Sequence, residues 1–246
     1  MRLSLIQPLP SIVFDLDEPD DLASLTALYR PRRPDWLRIN LIQSLNGAIV
    51  GVDGTSNSLS NRIDRKILGI IRSHADVILV GAETVRAEGH VLPRGRDLAV
   101  VTNSGDLSGN NLVPEPGRGR LIVLYPAENT ELVVANLAGL EAVLVPLPSA
   151  PGLRAKPEAI VGALRGLGYR SIVCEGGRSL ASQLVTAGVL DELCLTVAPV
   201  LAGSDALGLS SDISGGSGLR LGHLLADSAG VLYSRWTLGA GPAAGS

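Results

Sequence analysis

Two short stretches of this 246-residue chain place chemically useful residues where a strand gives way to a helix. In "SIVCEGGRSLASQLV" (171–185), the apolar run Ile172-Val173-Cys174 stops at a single carboxylate, Glu175. It then passes through Gly176 and Gly177 into a helical pattern. In "VGAETV" (80–85), another apolar run ends at Gly81, and a short helix opens with Thr84 in its first turn. Glycine lets a backbone approach a ligand closely, and a helix N-terminus offers unpaired N–H groups at its positive end. Both features suit a phosphate, and in a parallel sheet the two turns open on the same edge. Each turn alone is also an ordinary strand-to-helix connection. Glu175 has two readings as well, because a carboxylate closing a buried strand needs either a partner or a purpose.

Several other chemistries are set aside. His74, His90 and His223 are the only histidines and lack ligand-like spacing, so no metal is expected. Cys174 and Cys194 sit inside apolar runs without a CxxC pair and read as buried, inert thiols of a reducing cytoplasm. No GxSxG elbow or Walker A loop is present, and no GxGxxG follows a predicted strand. The glycine-rich "GGSGLRLG" near Gly215 leads into a strand pattern, not a helix. A net charge of -3 argues against a nucleic-acid partner. No apolar run is long enough to span a bilayer, and the N-terminus does not read as a signal peptide, so the expected location is cytoplasmic.

The elements that must hold these turns alternate along the chain. Apolar residues make up 46% of the sequence and aromatics only 3%, so the core is built from Leu, Val, Ile and Ala. Strands are predicted at 37–42, 76–81, 97–102, 120–125, 142–145, from 171, and at "ELCLTVA" (192–198). Between them, Ile63, Ile67, Ile70 and Ile71 share one helical face. Thr130 reads as the cap of a short helix ending near Gly139. Lys156-Pro157 opens another helix, with Gly168 at its end. The run 178–187 is the helix after the glycine pair.

This alternation predicts an α/β fold with a mostly parallel central sheet and helices on both faces. "LRLGHLL" and "GVLYSRWTLG" predict a C-terminal antiparallel strand pair. Residues 1–34, with "RPRRP" near their end, read as an N-terminal surface arm, 35–239 as a single domain, and 240–246 as a disordered tail. Arg86 reads as a solvated cation.

The runs "INLIQSLNGAI", "SNSLSNRIDRKILGIIRSHADVILVGAETVRAEG" and "EGGRSLASQLVTAGVLDELCLTVAPVLAG" together resemble the RibD C-terminal domain family. This is the reductase half of a bifunctional deaminase/reductase, similar in fold to dihydrofolate reductase. The likeness extends from about Trp36 to Trp236, in the family's order, while the deaminase zinc motif HxE…PCxxC is absent. It implies an NADPH-dependent pyrimidine reductase, acting as a homodimer on a small pyrimidine phosphate. Such enzymes reduce the ribosyl side chain of a 5-amino-6-(ribosylamino)-pyrimidine phosphate to the ribityl form.

Position by position, the resemblance places Gln43, Ser58, Gly81, Thr84, Glu88, Thr102, Asn103, Ser104, Gly176, Gly177, Arg178 and Ser179 on the cofactor. Ser56, Arg72 and Arg94 fall on the substrate side, and Glu175 becomes the catalytic candidate. Arg72, near the end of its helix, is equally well placed as a helix-end cation. Two departures stand out. The family's "SLDG" reads Ser44-Leu45-Asn46-Gly47 here, so acid-base chemistry is lost at Asn46 and only a turn role survives. "VTNSG" (101–105) has no Arg or Lys beside the expected 2′-phosphate, which leaves the Thr102 and Ser104 hydroxyls to hold it. Two other functions use the same scaffold: reduction of another ring such as dihydrofolate, and dinucleotide binding without catalysis.

Overall fold

The computed structural model describes residues 1–149, 154–202 and 218–238. Along the chain run β1 (Arg2–Gln7), β2 (Ile12–Asp15), α1 (Pro19–Leu28), β3 (Trp36–Ser44), α2 (Arg62–Ser73) and β4 (Val77–Gly81). Next come α3 (Ala82–Glu88), β5 (Asp97–Val101), β6 (Leu121–Pro126), α4 (Thr130–Leu137), β7 (Val143–Leu147) and α5 (Pro157–Gly166). The chain continues through β8 (Ser171–Cys174), α6 (Arg178–Thr186), β9 (Glu192–Ala198), β10 (Leu219–Asp227) and β11 (Leu232–Leu238). Of the glycine-rich run "GGSGLRLG", 218–222 is described and enters β10, the strand its pattern predicted, while 215–217 and the 240–246 tail lie outside the described residues.

Two compact units result. Unit 1 is built from both ends of the chain, Met1–His74 and Leu190–Ser246, and unit 2 from the segment between them, Ala75–Val189.

In unit 2 the strand order is β8-β4-β5-β6-β7, and every pairing is parallel. Parallel strands covered on both faces read as unbroken apolar runs. Val77 to Val80 of β4 and Leu121 to Tyr125 of β6 are all buried. Pro157 occupies the start of α5, and Gly168 follows that helix with φ +94°. Thr130 is the first residue of α4 and not its cap, which falls at Asn129. The Thr130 hydroxyl donates to the Ala127 carbonyl at 2.7 Å.

Unit 1 has the order β2-β1-β10-β11-β9-β3. Its pairings are antiparallel up to β9, and β9 and β3 are parallel. The C-terminal strand pair is present as expected. The first 34 residues, by contrast, are not a surface arm. They form β1, β2 and α1 and bury Leu3, Leu5, Phe14, Leu16, Leu25 and Tyr29. Leu3 and Leu5 alternate with polar residues, a short period-2 signal of a half-buried strand.

The α2 helix is capped by Asn61, whose side-chain oxygen accepts the Asp64 N–H at 2.8 Å. Of its predicted face, Ile67, Ile70 and Ile71 are buried and Ile63 is half-buried.

The centre of unit 1 holds a buried ion cluster. Glu192 is fully buried and pairs with Arg38 Nε at 2.5 Å and Arg235 Nη2 at 2.7 Å. Trp36 Nε1 also donates to it, at 3.0 Å. The arginines reach on to backbone carbonyls, Arg38 to Tyr29 and Arg235 to Leu28 and Arg30. Burial alone would raise the Glu192 pKa, but the two guanidinium groups outweigh it and hold the carboxyl below its ordinary value. The cluster ties the α1 end of the chain to β3, β9 and β11. His223 packs edge-on against the Tyr29 ring, with centroids 4.8 Å apart.

Candidate functional site

The opening turn of unit 2 is built by extending the β8–β4 ladder past the end of β8. Glu175 N–H donates to the Leu79 carbonyl and Gly81 N–H to the Gly176 carbonyl, both at 3.0 Å. The Gly176–Gly177 turn is thereby pinned beside the end of β4 and the start of α3. Gly176 is buried with φ +110°, a conformation that only glycine adopts cheaply. Gly177 is needed for a different reason: a Cβ there would stand 2.7 Å from Thr84 Oγ1. Gly177 is also the N-cap of α6, and no side chain caps that helix. The positive end of the α6 dipole lies at this turn.

A cavity of about 250 Å³ lies over this turn, entirely within unit 2. Seven of the residues assigned to the cofactor line it: Gly81, Thr84, Thr102, Asn103, Ser104, Gly177 and Ser179. Gly176, within the turn, and Arg178, just after it, lie outside the lining. Glu88, the last residue of α3, is half-buried and also lies outside it. Glu175 is half-buried directly before the turn and does not line the cavity. Arg94 is exposed and forms an isolated bridge with Arg118.

The remaining assigned residues belong to unit 1. Gln43 lies near the end of β3, opposite Val197 of β9. Ser58 closes its own loop, donating to Asp53 Oδ1 at 2.6 Å. Ser56 is a half-buried residue of the same loop. Arg72 stands in the last turn of α2, half-buried. Asn46 takes a turn role that needs an amide. Its Oδ1 accepts from Ser44 Oγ and Ala202 N–H, at 2.7 and 3.0 Å, while its Nδ2 donates to the Ala202 carbonyl at 2.9 Å. A carboxylate could not make that last bond.

The Thr102 hydroxyl is buried and already accepts the N–H groups of Ser104 and Gly105, at 3.3 and 3.0 Å, so it builds the turn after β5. Ser104 Oγ accepts Asp106 N–H at 3.2 Å. Guanidinium groups, which "VTNSG" lacks, arrive from elsewhere: Arg86 and Arg154 both line the cavity. Arg86 donates to the Asp106 carbonyl at 2.5 Å and is therefore not a simple solvated cation. Arg154 Nη1 donates to Ser179 Oγ at 2.6 Å. Nothing local marked Arg154, which stands in the loop ahead of α5.

The cavity groups fit the phosphates of a dinucleotide. Backbone N–H groups at a glycine turn and an uncapped helix start are anion ligands, and the guanidinium groups add positive charge. The two thiols take no part: Cys174 and Cys194 are buried, and burial pushes the Cys174 thiol up to about 12 and Cys194 up as well. Among the described residues there is no cluster of three or more His, Cys, Asp or Glu side chains able to hold a metal. No described helix is long and apolar enough to cross a membrane.

Comparison with known proteins gives this frame a family. The model of the RibD C-terminal domain matches residues 35–233. The chain belongs to that family. A 2,5-diamino-6-ribosylamino-4(3H)-pyrimidinone 5′-phosphate reductase from Methanothermobacter thermautotrophicus is 27% identical over 181 residues, covering 68% of this chain and 79% of the relative. Among solved structures, a pyrimidine reductase-like protein from Corynebacterium diphtheriae is 26% identical with a TM-score of 0.65, covering 87% of this chain and 98% of that one. The riboflavin biosynthesis reductase of Saccharomyces cerevisiae shares the fold at 16% identity, with a TM-score of 0.64, covering 89% of this chain and all of the other. The RibD C-terminal family thus accounts for the α/β architecture of the two units.

Proposed function

We propose that this chain is an NADPH-dependent reductase of riboflavin biosynthesis. Its substrate is 5-amino-6-(5-phosphoribosylamino)uracil or the diaminopyrimidinone that precedes it, and the ribosyl side chain is reduced to ribityl. The observation that carries the reading is the gathering of Gly81, Thr84, Thr102–Ser104, Gly177 and Ser179 around one cavity, in a chain of the RibD C-terminal family. The name of the archaeal relative supports the substrate class. We assign the protein to the cytoplasm as a homodimer, in keeping with the family.

The nicotinamide supplies a hydride when bound; this chain's residues position and polarise. The Gly176–Gly177 turn and the start of α6 take the pyrophosphate on backbone N–H groups. Opening the ribose ring moves the amine proton to the ring oxygen and leaves an imine; protonated on nitrogen, it carries positive charge shared with the sugar carbon until hydride would discharge it. Glu175 is assigned to favour that charge, a role that needs its carboxylate and no covalent bond. Ser56, Arg72 and Arg94 are assigned to the substrate, with the Arg72 guanidinium on its phosphate, where a planar fork engages two oxygens at once.

NADPH oxidation, followed by absorbance with the phosphorylated pyrimidine and with dihydrofolate as the competing substrate, tests the reading. Turnover on the pyrimidine alone is expected. Glu175→Gln, which keeps shape and removes charge, is expected to lower kcat on the order of 10²-fold while dinucleotide affinity holds. Turnover on dihydrofolate alone would overturn the substrate, and wild-type turnover in Glu175→Gln would make that carboxylate structural.

A further inference from the structure

We infer that Arg154 recognises the 2′-phosphate of the dinucleotide and sets the preference for NADPH over NADH. The inference rests on the dinucleotide reading of the unit 2 cavity and names the side chain that discriminates within it.

The charged residues in the lining are Glu83, Arg86 and Arg154. Glu83 and Arg86 both stand on α3, so that wall carries no net positive charge. Arg86 is further engaged by Asp106, through its carbonyl at 2.5 Å and its carboxylate at 3.8 Å. Arg154 differs on both counts. It comes from the loop ahead of α5, and its one hydrogen-bond partner among the described residues is the neutral Ser179 hydroxyl. That hydroxyl is itself held by Gln183 Nε2 at 3.1 Å, and the same amide donates to the Ser179 carbonyl at 3.0 Å. The guanidinium is therefore steadied over the first turns of α6 and, among the described residues, is paired with no carboxylate.

The ligand that fits such a group is a phosphate monoester. At neutral pH a monoester carries about -1.5 to -2 charges, more than either phosphate of a diester bridge, and a guanidinium meets two of its oxygens together. The pyrophosphate has its own donors, the backbone N–H groups at Gly177 and the start of α6. The Thr102 and Ser104 hydroxyls, the other groups expected to take the 2′-phosphate, accept backbone N–H groups and each have a single uncharged O–H left to donate, which cannot balance a dianion. Recognition of the monoester then falls to Arg154, a residue remote in sequence from "VTNSG".

Arg154 is exposed, so Arg154→Met is expected to fold as the wild type does. Steady-state assays with NADPH and NADH are paired with calorimetric titration of adenosine 2′,5′-bisphosphate and of 5′-AMP, which differ only in the 2′-phosphate. In Arg154→Met, KM for NADPH and Kd for the bisphosphate are expected to rise about ten- to a hundredfold, the range for one lost charge-assisted contact. KM for NADH and Kd for 5′-AMP are expected within about twofold of wild type, and Arg154→Lys is expected to recover part of the preference. A variant that keeps the wild-type preference for NADPH overturns the inference and leaves the dinucleotide reading standing, as does an equal loss for both dinucleotides. A wild-type protein that binds neither NADPH nor the bisphosphate overturns the dinucleotide reading itself.

Discussion

The two units use arginine in opposite ways. In unit 1, Arg38 and Arg235 are buried at 3% and 8% exposure and spend their charge on Glu192. In unit 2, Arg154 is exposed on a cavity and, among the described residues, meets a hydroxyl and no carboxylate. A buried guanidinium must be neutralised where it lies, because desolvation without a partner costs several kcal/mol. An exposed one keeps water as its alternative partner, so its charge stays available to a ligand. A charge neutralised inside the fold specifies structure, and a charge left open at a strand edge can specify binding.

The sharpest way to break the contrast is to remove the acid from unit 1. Glu192→Gln leaves two buried guanidinium groups facing an amide, and the expected loss is about 3–5 kcal/mol in urea unfolding. A loss below about 1 kcal/mol would mean that water enters the cluster and that its charges are not internal.

A second test uses pH. His223 is 3% exposed, and burial first, with the Arg235 charge adding, pushes its pKa from 6.5 down to about 4. The folded chain therefore binds this proton less readily than the unfolded chain. The stability is fully present above pH 6.5 and is lost as pH falls toward 4, by roughly 3 kcal/mol from this one group. Among the described residues His223 Nε2 has no hydrogen-bond partner, so His223→Phe deletes no bond there. The variant is expected to show a flatter stability profile between those pH values, and an unchanged profile would assign the acid sensitivity elsewhere.

The smallest expected effect sharpens the unit 2 side. Gly177→Ala places a Cβ against Thr84 Oγ1 and crowds the backbone approach to phosphate. Dinucleotide affinity is expected to fall about tenfold, with a stability loss of only about 1 kcal/mol. The urea midpoint and the calorimetric Kd separate the two. A stability loss without a change in Kd would make the glycine a packing residue alone.

Much of unit 2 was legible because its signals are local. A strand buried on both faces has no polar alternation, and 77–80 and 121–125 announce themselves as continuous apolar runs. The glycines at 81, 176 and 177 mark where the backbone must turn and come close. Residues 1–34 were harder to read, since β1 and β2 are short and prolines at 8 and 10 interrupt them. β2 pairs with β1, and β1 joins the sheet through β10, more than 200 residues away in the chain. Arg154 gave no local signal either. Its place on the cavity depends on Ser179 and Gln183 of another helix, and no pattern around "RAKP" encodes that meeting.

By itself, then, the sequence determined the alternation of strands and helices, the isoleucine face of α2 and the strand-end turns, because hydrophobic period and glycine freedom act within a few residues. Only the tertiary structure decided which groups keep an available charge. It enclosed Glu192 with two arginines, occupied the Thr102 hydroxyl with backbone N–H groups and brought Arg154 to the cavity. Burial, electrostatic pairing and hydrogen-bond competition depend on neighbours in space, and those neighbours come from parts of the chain far apart in sequence.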